Sequence, residues 1–369
     1  MKKIKQAKPR REYQWTDEYY ENAQKEIMDE DIYPVVIPSY KRGNNALTIK
    51  LLRECPELKV ILFVYEDDIQ NYQETLDKYK HFSAIKCVVQ GKDEVFDDDR
   101  VGMVKRGLGF KRVAINNKMP AMGYDRYFVL DDDISALYYT RHGKKNNGDY
   151  KAAKVELKAT EFFKMWQYII TKKAPEPVAA CGIISENGSW GQDLNTMDDI
   201  TYVAGQSQIL YIDGKMTQDK GLNYRGPSGW EDYDYSLTLI NGGLNSCQIR
   251  YLTYSTPTMT PGKSVATTNE YGGATTIKDY GWTKKSMDLY AHWGELTRFK
   301  LMKGQLNSKI RWVTVRNMLK KNNGKLNITF DSKLKEYIDN NDPAGLLMYI
   351  EEKERIKKEK EEKKKTKIN

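Results

Sequence analysis

The run YFVLDDDISAL sets three carboxylates, Asp131, Asp132 and Asp133, directly after an apolar segment. Adjacent carboxylates raise one another's pKa unless a cation neutralises them. A divalent ion is the simplest such cation, and all-oxygen ligation suits Mg²⁺ or Mn²⁺, which hold phosphates while keeping part of their water shell. If the strand persists through the triplet, its alternation turns Asp131 and Asp133 to one side and Asp132 to the other. The register stays open between Asp131 with Asp133 and Asp132 with Asp133. The plainer reading is that acids punctuate a strand end or cap a helix. The chain also carries acidic triplets at 66–68 and 97–99, so the motif gains weight only from its context.

That context is a set of elements able to bring such residues together. IYPVVIPSYKRGNN reads as a short strand running into a Pro/Ser/Gly loop, ALTIKLLREC as a helix, and LKVILFVY as a second strand ending in EDDIQ. Residues 12–30 read as a polar helix or an extended lead-in, 69–80 as a helix, AIKCVVQ as a third strand, and the segment through GFKRVAINNKM as a glycine-broken loop and a helix before YFVL. Short, almost wholly apolar strands alternating with helices predict an α/β sheet covered on both faces. In such sheets ligands sit beyond the carboxyl ends of the strands, where Pro38–Arg42, Glu66–Asp68 and Asp131–Asp133 fall. Further on, VELKATEFFKMWQYIITKK predicts an amphipathic helix, PVAACGIIS and SQILYIDG strands, and GWEDYDYSLTLINGG a loop and helix with a glycine stop. Thr253–Trp282, rich in Thr, Gly and Pro, reads as a long loop. From about Leu296 the chain reads as helical and charged.

The 369 residues, 40% of them hydrophobic, suffice for a sizeable core. No stretch reaches the ~20 apolar residues of a membrane span, and no apolar signal core follows the basic start, so a cytoplasmic protein is expected. Cys55, Cys87, Cys181 and Cys247 lack the spacing of a zinc site or disulfide framework and read as small buried hydrophobes. The net charge of +9 traces to the ends: residues 1–11 carry six Lys/Arg and no acid, and residues 351–369 nine against six Glu. Such ends either hold a polyanion through phosphate contacts or serve as solvated tails. PGKS at 261–264 lacks the first glycine of a P-loop, and GLG at 107–109 is too short for a dinucleotide fingerprint.

The succession IPSYKR, LKVILFVYED, GLGFKRVAIN, YFVLDDD and WEDYDYSLTLINGG, across roughly residues 32–255, resembles the nucleotide-sugar glycosyltransferases of the GT-A fold. The resemblance implies a Rossmann-like mixed α/β sheet with helices on both faces and a mainly helical, charged C-terminal extension. It also implies a basic N-terminal extension (1–30), a transferase domain (31–295, its nucleotide half about 31–140 and its acceptor half about 175–295) and a helical region (296–369). Carried over by position, Pro38, Ser39 and Arg42 line the nucleotide pocket, Glu66 or Asp67 lies near the base or ribose, and Arg112 approaches the pyrophosphate or Asp131. Asp131 and Asp133 take the metal positions with Asp132 at the donor, and His292 in LYAHWGE completes the metal shell or is simply a packed residue. Asp232 is the expected base that takes the acceptor's proton, with Glu231 holding the acceptor and Trp230 offering a face for stacking. A helix N-terminus also suits those acids.

The wording is most similar to the DNA-base glycosyltransferases associated with TET-like oxygenases in bacteriophages and in base J synthesis. It implies transfer from a UDP-sugar, UDP-glucose foremost, to a hydroxymethylcytosine or hydroxymethyluracil in DNA, with Mn²⁺ or Mg²⁺ as cofactor. The base must then leave the duplex or the duplex deform. Lys263, Lys278, Lys284 and Lys285 are placed to grip phosphates or are ordinary loop lysines. A soluble transferase acting on a glycan, lipid precursor or small acceptor shares every catalytic residue. A non-catalytic binding protein is the remaining alternative. The sugar, the modified base, inversion against retention and the oligomeric state are not fixed by one sequence.

Overall fold

Runs such as VVIP and VILFVY, apolar at every position, form strands only where both faces are covered. The computed structural model describes residues 15–87, 108–144, 150–174, 177–185, 201–202, 209–224, 230–256, 280–302 and 304–366. Its strands are β1 (Val35–Pro38), β2 (Val60–Tyr65), β3 (Phe82–Cys87), β4 (Arg126–Leu130), β5 (Ala136–Lys144), β6 (Tyr150–Glu156), β7 (Ala180–Ser185), β8 (Thr201–Tyr202), β9 (Ile209–Asp213), β10 (Ser246–Ser255), β11 (Thr297–Met302) and β12 (Gln305–Ile310). The α-helices are α1 (Trp15–Glu26), α2 (Leu47–Leu52), α3 (Gln73–Lys78), α4 (Leu108–Ala121), α5 (Ala159–Tyr168), α6 (Gly214–Asp219), α7 (Glu231–Asn241), α8 (Gly281–Trp293), α9 (Trp312–Lys321), α10 (Ser332–Asp339) and α11 (Pro343–Thr366).

The chain divides into two compact units. Met1–Val88, Ile115–Gly221 and Leu244–Thr258 form the first; Val89–Ala114, Leu222–Gly243 and Met259–Asn369 form the second. Among the described residues the first unit holds a ten-stranded sheet in the order β3-β2-β1-β4-β9-β7-β10-β5-β6, with β8 beside β10. The first four strands are parallel, β9 runs against both β4 and β7, β10 is parallel to β7, and β5 and β6 continue antiparallel. This is the mixed α/β sheet of a GT-A-like fold. Consecutive residues of β4 show its two faces: Phe128 packs on Phe163 and Trp166 of α5, whereas the Tyr127 hydroxyl bonds Asn116 of α4 at 2.7 Å. Helices therefore cover both faces, and the core collects Val35, Ile37, Leu62 and Phe128 with Phe162, Phe163 and Trp166.

The second unit is built around α7 and α8. Trp230 and Leu237 pack with Leu289 and Trp293 of α8, Ile310 of β12 and Val315 of α9. A neighbouring cluster joins Met287 of α8 to Leu306 of β12 and to Leu346 and Leu347 of α11. Beyond its first two turns α11 is a charged rod laced by pairs such as Arg355 with Glu352 and Glu359.

Three expectations change. The loop expected from Thr253 does not start there, because Ser246–Ser255 is β10, in the interior of the sheet. Ala136–Lys144 and Tyr150–Glu156 pair as β5 and β6 at its edge, so Val155 and Glu156 belong to a strand and α5 starts at Ala159. The C-terminal region contains the β11–β12 hairpin as well as helices. The rest of the Thr253–Trp282 segment, 257–279, lies outside the described residues, and α8 begins at Gly281.

Candidate active site

In the first unit the polar residues gather beyond the carboxyl ends of β1, β2 and β4. After Pro38 the chain turns back through Lys41 and Gly43, both with positive φ (53° and 49°). A Cβ on Gly43 would meet the Asn71 carbonyl oxygen at 2.5 Å, so only glycine fits this close approach. Below the turn, Glu66–Tyr72 forms a 3₁₀ segment whose buried Asp68 holds it in place, accepting from the Lys41 N–H and the Asn71 amide, each at 2.6 Å. Glu66 and Asp67 are exposed on the same segment.

The aspartate triplet is a turn and not strand, since β4 ends at Leu130. The alternation argument therefore does not reach it. Thr48 at the start of α2 fixes the turn. Its hydroxyl donates to the Asp131 carbonyl and accepts the Ile134 N–H at 2.9 Å, while its own N–H bonds the Asp132 carbonyl at 3.3 Å. Asp132 is buried; it accepts from Ser39 Oγ at 2.6 Å, and Ser39 also bonds Tyr72 at 2.8 Å. Burial pushes the Tyr72 hydroxyl well above its ordinary value, so it stays protonated. Arg42 lies across the triplet, its Nε 3.3 Å from Asp132 and its Nη2 3.9 Å from Asp133. Asp133 is raised by burial, with Arg42 opposing, and its Oδ1 is buried without a hydrogen-bond partner. Ser39 is only 2% exposed, so it braces this network and lines no open pocket.

No group of three or more His, Cys, Asp or Glu among the described residues is arranged to hold a metal ion. The donor set still fits a divalent cation of the kind that takes one or two carboxylates and completes its shell with phosphate and water. Asp133 Oδ1 is the oxygen left over, and Asp131 stands half-buried beside it in sequence. Asp132 is already committed to Ser39 and Arg42. His292, expected in the metal shell, closes α8 in the second unit. It faces Asp288 one turn earlier at 3.8 Å and lines a cavity of about 330 Å³ with Phe330, Lys335 and Asp339.

The second unit carries the Glu-Asp pair at the start of α7. Asp234, the third acid of that turn, is structural: it accepts the Trp293 indole N–H at 2.7 Å and so ties α7 to α8. Arg112 of α4 is 3% exposed and lies 4.0 Å from Glu231; its place is in this acidic cluster. Burial and the neighbouring Glu231 charge raise Asp232 to about 7, against the opposing pull of Arg112. A half-buried carboxyl poised there can accept a proton near neutral pH. Trp230 corrects an expectation. It is 6% exposed, stacked on Tyr233 and 5.5 Å from Trp282, so its faces belong to the core and are not open for stacking. Lys285 is no loop lysine either: half-buried on α8, it sits 5.2 Å over the Trp282 ring, and burial lowers its pKa while Glu231 raises it. Lys284 lines the same cavity as His292; Lys263 and Lys278 lie outside the described residues.

With this geometry in view, comparison with protein families matches residues 33–261 to TET-Associated Glycosyltransferase. The chain belongs to this family. As a TET-associated glycosyltransferase it is an enzyme, and the matched span contains both the Ser39–Arg42–Asp132 network and the Glu231–Asp232 pair. No curated protein matches the chain. No described helix is long and apolar enough to cross a membrane.

Several residues that shape the site carry no motif. Thr48, Tyr72 and Asp68 act by hydrogen bonds that exist only once distant segments meet, as with Thr48 and Ile134. Asp68 lay within the acidic triplet, but nothing in a sequence separates the buried acid from its exposed neighbours Glu66 and Asp67.

Proposed function

We propose that this glycosyltransferase moves a sugar from a UDP-sugar, UDP-glucose foremost, to the hydroxyl of a hydroxymethylpyrimidine in DNA, with inversion. The observation that carries the chemistry is Asp232, held near neutrality by burial and by Glu231. As the acceptor oxygen bonds to the anomeric carbon, Asp232 takes the hydroxyl proton, and the bond to the diphosphate breaks with its electron pair leaving on the diphosphate. Glu231, paired to Arg112, keeps a second negative charge beside Asp232 and so keeps it basic. Asp133 and Asp131 would hold Mn²⁺ or Mg²⁺, which when bound would neutralise the charge of the diphosphate. Arg42 and Ser39 hold Asp132 and the triplet in place.

DNA as acceptor is supported by the family's association with TET oxygenases and by the basic ends of the chain. The test is incubation with Mn²⁺, labelled UDP-glucose and DNA containing hydroxymethylcytosine or hydroxymethyluracil. The expected result is label retained on DNA and lost in Asp232→Asn. Sugar-nucleotide hydrolysis without DNA labelling, across several donors, overturns the acceptor assignment.

A further inference from the structure

The charge of the body, balanced on average, is locally segregated. Between Glu295 and Asp331 the chain has nine Lys/Arg and no Asp or Glu. The fold displays outward the eight of these whose side chains are described. On β11 the side chains alternate, with Phe299 and Leu301 packed toward α8 and α11 and Arg298 and Lys300 exposed. The register sets Arg298 directly opposite Lys309 of β12, which is also exposed. Like charges opposed across an antiparallel pair destabilise it. Neither residue forms an ion pair or side-chain hydrogen bond among the described residues. Arg311 is exposed at the junction with α9, where its N–H bonds the Leu296 carbonyl at the foot of β11. The outward stripe of α9 continues the pattern with Val313, Arg316 and Lys320, the two cations one turn apart.

We infer that the outer face of the β11–β12 hairpin, continued by Arg311 and α9, is a docking surface for the phosphate backbone of nucleic acid. Two features select that partner. The repulsion between Arg298 and Lys309 is relieved by phosphates, which are closely and regularly spaced along a strand. No residue in the 35-residue stretch supplies the donor-free acids that a mixed protein interface would use. The surface lies beyond the family match, which ends at 261. The inference rests on the DNA-acceptor reading and places the duplex contact outside the reacting groups.

The test pairs Arg298→Gln with Lys309→Gln in the full chain and measures binding to an unmodified ~20-bp duplex by fluorescence anisotropy at several salt concentrations. The double variant should bind at least several-fold more weakly at moderate salt. Its slope of log K against log salt should shrink by about 1.8, since two phosphate contacts are lost. Its melting temperature should stay the same or rise, because a like-charge pair is gone, which separates lost binding from lost folding. A control, Lys353→Gln with Lys357→Gln on α11, should leave the affinity much closer to that of the parent. Unchanged affinity and slope in the hairpin variant, with the parent binding DNA and labelling it, overturn the surface alone. A parent that binds no DNA overturns both the surface and the acceptor reading.

Discussion

Asp232 and Asp132 show two fates for a carboxylate in one chain. Asp132 accepts from Ser39 and pairs with Arg42, so it works as an anchor; Asp232 is raised to about 7 and is available to take a proton. If Asp232 is the base, transfer should rise with pH through about 7 and then level, and Asp232→Asn should lower kcat by about 10²–10⁴-fold. Stability should move the other way. A carboxyl whose folded pKa exceeds its unfolded value, about 3.9, binds more protons when folded, so stability falls as pH rises from there through about 7. Asp232→Asn removes that penalty, and its melting temperature at pH 8 should exceed the parent's; an unchanged or lower value speaks against a buried, strained carboxylate. Thr48 offers a second test. Thr48→Val keeps the shape but leaves the Ile134 N–H without its acceptor, which should cost about 1–3 kcal/mol in urea unfolding, with Thr48→Ser restoring most of it.

At the level of elements, the turn over the 3₁₀ segment is the most demanding piece. Gly43→Ala meets both a positive φ and the Asn71 carbonyl, and should cost more than about 1 kcal/mol. Because the turn carries Arg42, the KM for the nucleotide-sugar should rise more than kcat falls in steady-state assays. The elements legible in the sequence were those with a strong apolar period: β1, β2 and β4, the amphipathic α5 and the glycine-stopped α7. Those missed have polar or charged outward residues. In TRFKLM the alternation is present, with Phe299 and Leu301 inward, but its exposed cations resemble the helical charge pattern that follows. β10 was missed because Gln248, Arg250, Thr253 and Ser255 break up its apolar residues, although it lies inside the sheet. Of the site, the motif-bearing acids were legible, and the hydrogen-bonding braces were not. Trp230 was misjudged because residue type tells nothing about which face is already packed.

For the whole molecule, the relevant boundary is not where the charged C-terminal region begins. Trp230, at the start of α7, and Leu237, within it, share a cluster with Ile310 and Val315, so the second unit uses residues beyond 296 to set the helix that bears Asp232. Deletion from Thr297 onward should therefore abolish transfer and the near-ultraviolet circular dichroism contributed by the second unit's packed tryptophans. Deletion of 352–369, whose described side chains are almost all exposed, should change the melting temperature by no more than about 2 °C and leave kcat intact. Equal damage from both deletions would contradict this division.

The same aromatic packing makes the protein its own optical probe. Of the tryptophans whose side chains are described, Trp230, Trp282, Trp293 and Trp312 belong to the second unit and Trp166 to the first. Trp166 points its indole N–H at the Cys181 sulfur, 3.5 Å away, and thiols quench indole emission. Ultraviolet-excited fluorescence should therefore be weighted toward the unit that carries Asp232. Titration with acceptor should therefore change the emission of an unlabelled sample more than titration with donor.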